Sequence, residues 1–169
     1  MKTKSIGLGG GCHWCTEAVF QSLKGVIKVE QGFIASGENN IYSEGVIVHF
    51  DIETISLEAL IEIHLHTHKS TSNHSMRDKY RSAVYAFSEA QMQEAKRIIN
   101  VIQDAFKNEI ITKVLPFESF KPSRESIQNY YSKNPEKPFC ETFINPKLRQ
   151  LLNQFSNHVE LETLKHLIK

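Results

Sequence analysis

The chain has 169 residues, which suits one domain with a sizeable buried core. Its 20 Lys and Arg residues nearly balance its 19 Asp and Glu residues, so no global field attracts nucleic acid or a membrane surface. No stretch has the apolar length of a signal peptide or a transmembrane helix, and we therefore expect a cytoplasmic protein. Three cysteines are too few for a disulfide scaffold and favour catalysis or metal binding.

The first two thirds of the chain alternate between strand and helix patterns. The predicted elements are a strand at 5–9, a helix ending near Gly25, strands at 26–35 and 45–50, a helix at 55–63, a strand at 83–87 and a helix at 89–106. This βαββαβ order, followed by a further helix, is that of a ferredoxin-like α+β fold. We expect a two-layer sandwich, in which helices pack on a mixed or antiparallel sheet.

The last third of the chain contains all five prolines, between residues 116 and 146. Proline fixes its own backbone and restricts the residue before it, so we expect an extended, loop-rich C-terminal tail. Short elements are predicted within it, namely a strand at 114–117 and helices at 125–132, 147–155 and 159–168. No repeat or linker interrupts the sequence, which predicts a single domain over residues 1–169.

Cys12 and Cys15 form a C-x-x-C pattern where the first strand gives way to the first helix. The N-terminus of a helix favours thiolate over thiol, which makes Cys12 the first candidate for chemistry. The pattern alone is compatible with a redox thiol pair, half of a zinc site, or two small buried apolar side chains.

Four histidines lie close together at positions 64, 66, 68 and 74. In an extended segment, HLHTH would present three imidazoles on one side, and a metal-binding protein that uses His66, His68, His74 and a cysteine is one alternative. Ordinary surface histidines in a polar loop are the commoner interpretation. We therefore expect no metal in the site.

Motifs in four segments follow one another along the chain. They are GCHW at 11–14 with Glu17, EGVIVHFD at 44–51, Glu62 and His64 followed by KYRSAV at 79–84, and QNYYSKNP at 128–135 with Phe139, Cys140 and PKL at 146–148. In this order, over about residues 5–148, they resemble the A-type peptide-methionine sulfoxide reductases. Each motif alone is weak evidence for this family, whereas four motifs in the same order and register are specific evidence for it.

The resemblance implies reduction of methionine-S-sulfoxide, free or peptide-bound, to methionine. Cys12, as thiolate, would attack the sulfoxide sulfur and become a sulfenic acid. Glu44 would protonate the sulfoxide oxygen, and Tyr80 would donate a hydrogen bond to the same oxygen. Trp14 would form an apolar wall for the substrate S-methyl group.

The resemblance also implies a recycling route that needs no cofactor. Cys140 would form a disulfide with Cys12, and thioredoxin or a similar dithiol would reduce it. Cys15, at a position where the family commonly has Gly, is the alternative resolving cysteine. We expect a monomer.

Several positions depart from the family pattern. His13 replaces the family Phe, which makes half of the expected methyl pocket polar and titratable. The loop before Glu44 is short and lacks a catalytic tyrosine of the family, for which Tyr42 is the candidate replacement. Ser75 replaces a family Asp. These departures favour a second hypothesis, a catalytically altered paralogue that acts as a thiol redox sensor or binding protein.

Overall fold

A computed structural model of the protein describes residues 2–36, 41–74, 76–77 and 79–168. The loop position Ser75 therefore lies outside the described residues. The strands are β1 (Thr3–Gly9), β2 (Val26–Ala35), β3 (Tyr42–Asp51), β4 (Ala83–Ala86), β5 (Lys113–Pro116) and β6 (Ser119–Pro122). The helices are α1 (His13–Gln21), α2 (Leu57–Thr67), α3 (Glu89–Ile102), α4 (Tyr130–Lys133) and α5 (Asn145–Gln154).

The strands form one sheet in the order β5-β4-β1-β3-β2-β6. Its four central strands are antiparallel neighbours in the ferredoxin-like order, which confirms the predicted fold class. β5 joins β4 in parallel and β6 joins β2 antiparallel, so the sheet is mixed, as expected. β6 approaches β2 so closely that a Cβ on Gly32 would lie 2.2 Å from the Lys121 carbonyl oxygen, which explains the glycine there.

The period-two alternation of strand residues separates two apolar faces. On β3, Val46, Val48 and Phe50 face the helices, where they join the main core with residues of α1, α2, α3 and α5. Ile47 faces the opposite side of the sheet, where it belongs to a small apolar cluster with Tyr85. Side chains from the two edges of the sheet pack against this cluster. The helices thus form one layer on the sheet, and the N-terminus of α1 lies over the end of β1.

Several predicted boundaries were wrong in informative ways. α2 continues to Thr67 instead of ending at residue 63, because Leu65 packs into the core and extends the apolar face of the helix. The predicted helices at 125–132 and 159–168 contain 3₁₀ turns at Glu125–Ile127 and Leu161–Leu167, with α4 the only α-helical turn within them. Within the described ranges, the helices are all too short or too polar to cross a bilayer.

The C-terminal tail returns to the segment that follows α1 and pairs with it. Leu23 and Val159 form an isolated β-bridge. The Lys24 N–H donates to the His158 carbonyl at 2.8 Å, and the Glu160 N–H donates to the Ser22 carbonyl at 2.8 Å. Residues near both ends of the chain are thereby joined by backbone hydrogen bonds.

Candidate active site

The site is built around the first turn of α1. Cys12 is the residue that precedes the helix, and its carbonyl accepts the backbone N–H groups of Cys15 at 3.1 Å and Thr16 at 3.2 Å. The Cys12 side chain is half-buried at the end of the helix where unpaired backbone N–H groups carry partial positive charge. The turn before it passes so close to α2 that a Cβ on Gly10 would lie 2.4 Å from the His68 ring.

The pKa of Cys12 is lowered from its ordinary value. The largest cause is a hydrogen bond from the Cys15 thiol, and the backbone N–H groups of Trp14 and Cys15 act in the same direction, whereas burial and the nearby Glu44 oppose them. The pKa of Cys15 is raised, first by this same hydrogen bond and then by burial. Cys12 therefore has the thiolate character of a nucleophile, and Cys15 remains a protonated donor.

Glu44 lies on β3 beside the start of α1, and its side chain is buried. Its Oε1 accepts the backbone N–H of His13 at 3.2 Å and lies 3.5 Å from the His13 Nε2. Its Oε2 lies 3.6 Å from the Nζ of Lys79, a side chain that is largely exposed. The structure thus places a carboxyl group next to the predicted nucleophile, as the sequence resemblance led us to expect.

His13 is turned inward from the first position of α1. Its Nδ1 donates to the Gly32 carbonyl on β2 at 2.8 Å, and its ring meets the edge of Phe33 with centroids 5.2 Å apart. Burial lowers the pKa of His13, which favours the neutral imidazole. The ring therefore contacts Glu44 and β2.

Tyr80 and Tyr42 flank Glu44 from two directions. The backbone N–H of Glu44 donates to the Lys79 carbonyl at 2.9 Å, which fixes the segment that carries the half-buried Tyr80. The pKa of Lys79 is raised first by a hydrogen bond with Tyr80. The hydroxyl of Tyr42 is directed toward β6 and lies 2.8 Å from the hydroxyl of Ser119. Of the two tyrosines, Tyr80 is thus the one whose side chain lies beside the Lys79 ammonium group, which is also close to Glu44.

Trp14 lies in an aromatic cluster with two residues of the tail. Its ring stacks on Tyr130 at a centroid distance of 4.1 Å and meets Phe139 edge-on at 5.2 Å. The indole Nε1 is buried and has no hydrogen-bond partner among the described residues. The quoted motifs contained Tyr130 and Phe139, but nothing in the sequence indicated that they would cover Trp14.

Cys140 begins a π-helical turn, Cys140–Ile144, that packs against α1. Its thiol is fully buried and donates to the Asn134 carbonyl at 3.1 Å, and burial raises its pKa. All three cysteines are free thiols in this structure. Cys140 is therefore a protonated thiol whose use requires it to leave the Asn134 carbonyl.

Glu17 anchors the tail to α1. Its carboxylate accepts the Gln31 side-chain amide at 2.9 Å and the backbone N–H groups of Asn129 at 3.0 Å and Tyr130 at 3.2 Å. The sequence matched Glu17 to a family position without assigning it a role. Its hydrogen bonds hold Tyr130 over Trp14 and so shape the aromatic cluster.

The histidine cluster does not form the arrangement that an extended segment would give. Because residues 64–67 are helical, His64 and His68 stack together at 4.1 Å, whereas His66 stacks on Phe106 at 4.5 Å. His64 donates to the Gly9 carbonyl at 2.8 Å and so supports the turn before Cys12. In the part of the chain that the structure describes, no three His, Cys, Asp or Glu side chains are grouped to hold a metal ion.

A thiol with a lowered pKa at a helix N-terminus, beside a buried carboxyl, is typical of cysteine-dependent enzymes, including oxidoreductases. Comparison with known families matches residues 4–159 to the model described as peptide methionine sulfoxide reductase. The chain belongs to this family, which confirms the resemblance found in the sequence.

Relatives and solved structures agree with this assignment. The chain is 36% identical to the peptide methionine sulfoxide reductase MsrA of Trichodesmium erythraeum, over 92% of this chain and 97% of the relative. The crystal structure of reduced Mxr1 from Saccharomyces cerevisiae superposes with a TM-score of 0.73 at 26% identity, over 84% of this chain and 91% of that one. Mxr1 has also been solved in complex with Trx2, and that structure matches with a TM-score of 0.62 at 24% identity, over 76% of this chain and 85% of that one.

Proposed function

We propose that the protein reduces methionine-S-sulfoxide, free or peptide-bound, to methionine, with Cys12 as the nucleophile. The observation that carries this proposal is the placement of the Cys12 thiol, with its lowered pKa, next to the buried Glu44 carboxyl. Family membership supports the reaction, because the relatives bear the name of a methionine sulfoxide reductase.

In the proposed reaction, the Cys12 thiolate attacks the sulfoxide sulfur while Glu44 gives a proton to the sulfoxide oxygen. The sulfur–oxygen bond of the substrate breaks, the oxygen passes to the Cys12 sulfur as a sulfenic acid, and methionine leaves. The sulfoxide sulfur is reduced and the cysteine sulfur is oxidised, with one proton consumed. Tyr80 donates a hydrogen bond to the same oxygen, and its position beside Lys79 and Glu44 supports this role.

Trp14 supplies the apolar contact for the substrate methyl group in this proposal. Its stacking on Tyr130 and its edge contact with Phe139 support the role, because the two tail residues hold the indole in one orientation. Tyr42 is the second substrate contact in this proposal, because it lies two residues before Glu44 on the same face of β3; its hydroxyl lies 2.8 Å from that of Ser119.

Recycling begins when a second thiol attacks the sulfenic acid, which forms a disulfide and releases water. We propose Cys140 and Cys15 as the two resolving thiols. The hydrogen bond from Cys15 to Cys12 supports Cys15, and the packing of the Cys140 turn against α1 supports Cys140. Mapping the disulfide by mass spectrometry after one turnover, in the wild type and in the Cys15→Ser and Cys140→Ser variants, identifies which sulfur reacts first.

We further propose thioredoxin as the reductant that cleaves this disulfide. The solved complex of Mxr1 with Trx2 supports this choice for a family member. A monomer in the cytoplasm, where dithiol reductants keep cysteines reduced, is the setting that fits this cycle.

A stereospecific assay tests the proposed function. Purified wild-type protein with dithiothreitol is expected to consume methionine-S-sulfoxide but not the R epimer, and Cys12→Ser is expected to consume neither. Glu44→Gln should slow the first turnover by about 100-fold or more, because a positioned proton donor contributes that much. Unchanged sulfoxide in the presence of a reduced, alkylatable Cys12 would contradict the proposal. If peroxide oxidised Cys12 under the same conditions, that result would instead support the thiol sensor.

A further inference from the structure

The imidazole of His13 is fixed between two strands. Its Nδ1 lies 2.8 Å from the Gly32 carbonyl, which can only accept, so Nδ1 carries the hydrogen. Its Nε2 therefore faces the Glu44 Oε1, at 3.5 Å, across a space in which both side chains are only 6% and 8% exposed. The same oxygen is held by the His13 backbone N–H at 3.2 Å.

This geometry restricts the protonation of the pair. A neutral imidazole with its hydrogen on Nδ1 presents a lone pair at Nε2, and a buried lone pair is repelled by an ionised carboxylate. The approach of the two atoms is favourable when one proton is bound on either Nε2 or Oε1. Burial disfavours the doubly protonated ring, as the lowered pKa of His13 indicates, so a proton between the two groups is not held by the imidazole alone.

We propose that His13 is a positioning residue that shares one proton with Glu44 and thereby keeps the acid of the reaction loaded. The inference rests on the proposed function, in which Glu44 gives this proton to the sulfoxide oxygen as the sulfur–oxygen bond breaks. In this role, His13 acts through Glu44. After methionine leaves, water returns one proton to the pair, so each cycle balances.

The charged groups around the pair oppose each other. Lys79, from the segment before β4, lies 3.6 Å from the other carboxyl oxygen of Glu44 and favours the ionised carboxylate. Cys12, next to His13 on the chain, favours the protonated form as a thiolate. β2 contributes only the Gly32 carbonyl and the uncharged Phe33 ring. The base at Nε2 therefore offsets the exposed ammonium of Lys79.

Nuclear magnetic resonance of the substrate-free enzyme tests the shared proton directly. The reduced full-length wild type and Glu44→Gln, both labelled with ¹⁵N-histidine, are titrated with acid. In the wild type, the His13 Nδ1 signal should be that of a protonated nitrogen, and Nε2 should titrate at least about one pH unit higher than in Glu44→Gln. Identical Nε2 titrations in the two proteins would overturn the proposal.

A pH profile separates proton sharing from packing. His13→Asn keeps a donor for the Gly32 carbonyl and the backbone N–H on Glu44, but it has no titratable nitrogen. On the acid side of the pH profile, the kcat/KM of this variant should match that of the wild type. The decline of kcat/KM at alkaline pH should begin about one pH unit lower, so that activity above that pH falls about tenfold with little change in KM. A uniform loss at every pH would show that His13 only packs, and would overturn the proposal.

The two measurements also distinguish this proposal from the proposed function. If no variant reduces sulfoxide, the proposed function fails, and the resonance titration still decides whether the proton is shared. If His13→Asn does not fold, the comparison of the wild type with Glu44→Gln gives the same decision.

Discussion

Cys12 derives its thiolate character from a neighbour that the family pattern lacks. Acting as a hydrogen-bond donor, the Cys15 thiol lowers the Cys12 pKa more than the backbone N–H groups of the helix do, and its Sγ also lies 3.9 Å from the Phe143 carbonyl oxygen. Burial of the site and the nearby Glu44 raise the same pKa. Cys15, which we propose as a resolving thiol, therefore also lowers the pKa of the reduced Cys12 thiol.

We expect Cys15→Ala to raise the Cys12 pKa, because the variant removes the donor and keeps the burial. Alkylation of Cys12 by iodoacetamide at pH 7 should then be roughly three- to tenfold slower, as measured by mass spectrometry of the Cys12 peptide. Cys15→Ser is the matched control, since its hydroxyl remains a donor to the sulfur. Equal rates in the alanine and serine variants would show that the hydrogen bond does not tune Cys12.

The sequence predicted where Cys12 lies in the fold better than it predicted the contacts of the side chains around it. The C-x-x-C position at a strand-to-helix junction placed Cys12 correctly at the N-terminus of α1, and the resemblance brought Glu44 to it. The inward turn of His13 was not predictable, because it depends on the Gly32 carbonyl of a strand that is distant in sequence. A side-chain direction of this kind is set by tertiary packing.

At the scale of elements, α1 and the tail are linked by one buried carboxylate. Burial raises the pKa of Glu17, while its three hydrogen bonds from Gln31, Asn129 and Tyr130 stabilise the ionised form. Two of the donors are backbone groups of the tail, which have no regular secondary-structure partner at that point. Glu17 therefore supplies hydrogen-bond acceptors that a regular helix or strand would otherwise provide for the backbone N–H groups at the start of α4.

Glu17→Ala should loosen the tail without unfolding the sheet. The variant leaves buried donors without acceptors, so we expect a loss of about 2–3 kcal/mol in the free energy of unfolding, measured by urea denaturation. Amide exchange at Asn129 and Tyr130 should rise most. Glu125→Ala is the control, because that carboxyl is exposed in the same segment. Equal exchange in both variants would contradict the anchoring role.

The elements that the sequence predicted poorly are those stabilised by tertiary contacts. β6 is only four residues long and ends in Pro122, so it gives a weak strand pattern, and it forms because β2 offers a free edge. The π-helical turn at Cys140–Ile144 continues into α5 and has no sequence pattern of its own. In contrast, the helix predicted at 89–106 forms as α3 over Glu89–Ile102, where the Ser88 side chain accepts the Gln91 N–H at 3.1 Å.

At the scale of the whole molecule, stability is coupled to pH through buried histidines. Burial lowers the pKa of His64 to about 4 and places the pKa of His68 well below its ordinary value. Because these folded-state values are depressed, the contribution to stability is complete above the unfolded value of about 6.5. It is lost progressively as the pH falls toward the folded values.

In His64→Gln, the free energy of unfolding should depend less on pH in the acidic range. The amide still donates to the Gly9 carbonyl but takes up no proton, so the slope between pH 6.5 and 4 should decrease by up to about 1.4 kcal/mol per pH unit. Urea denaturation across this range measures the slope. His158→Gln, at a half-exposed position, serves as the control and should leave the slope nearly unchanged. If the free energy of unfolding of His64→Gln had the same pH slope as that of the wild type, this would contradict His64 as a source of the pH dependence.

The return of the tail to α1 has a consequence for how the protein is made. A ribosome releases α1 early, whereas Tyr130, Phe139 and the residues that pair with Ser22 and Lys24 emerge much later. Contacts of such large sequence separation also form slowly after release. During translation, the Trp14 indole, which is next to Cys12 in the chain, is therefore without its two aromatic neighbours until the tail has emerged and folded back.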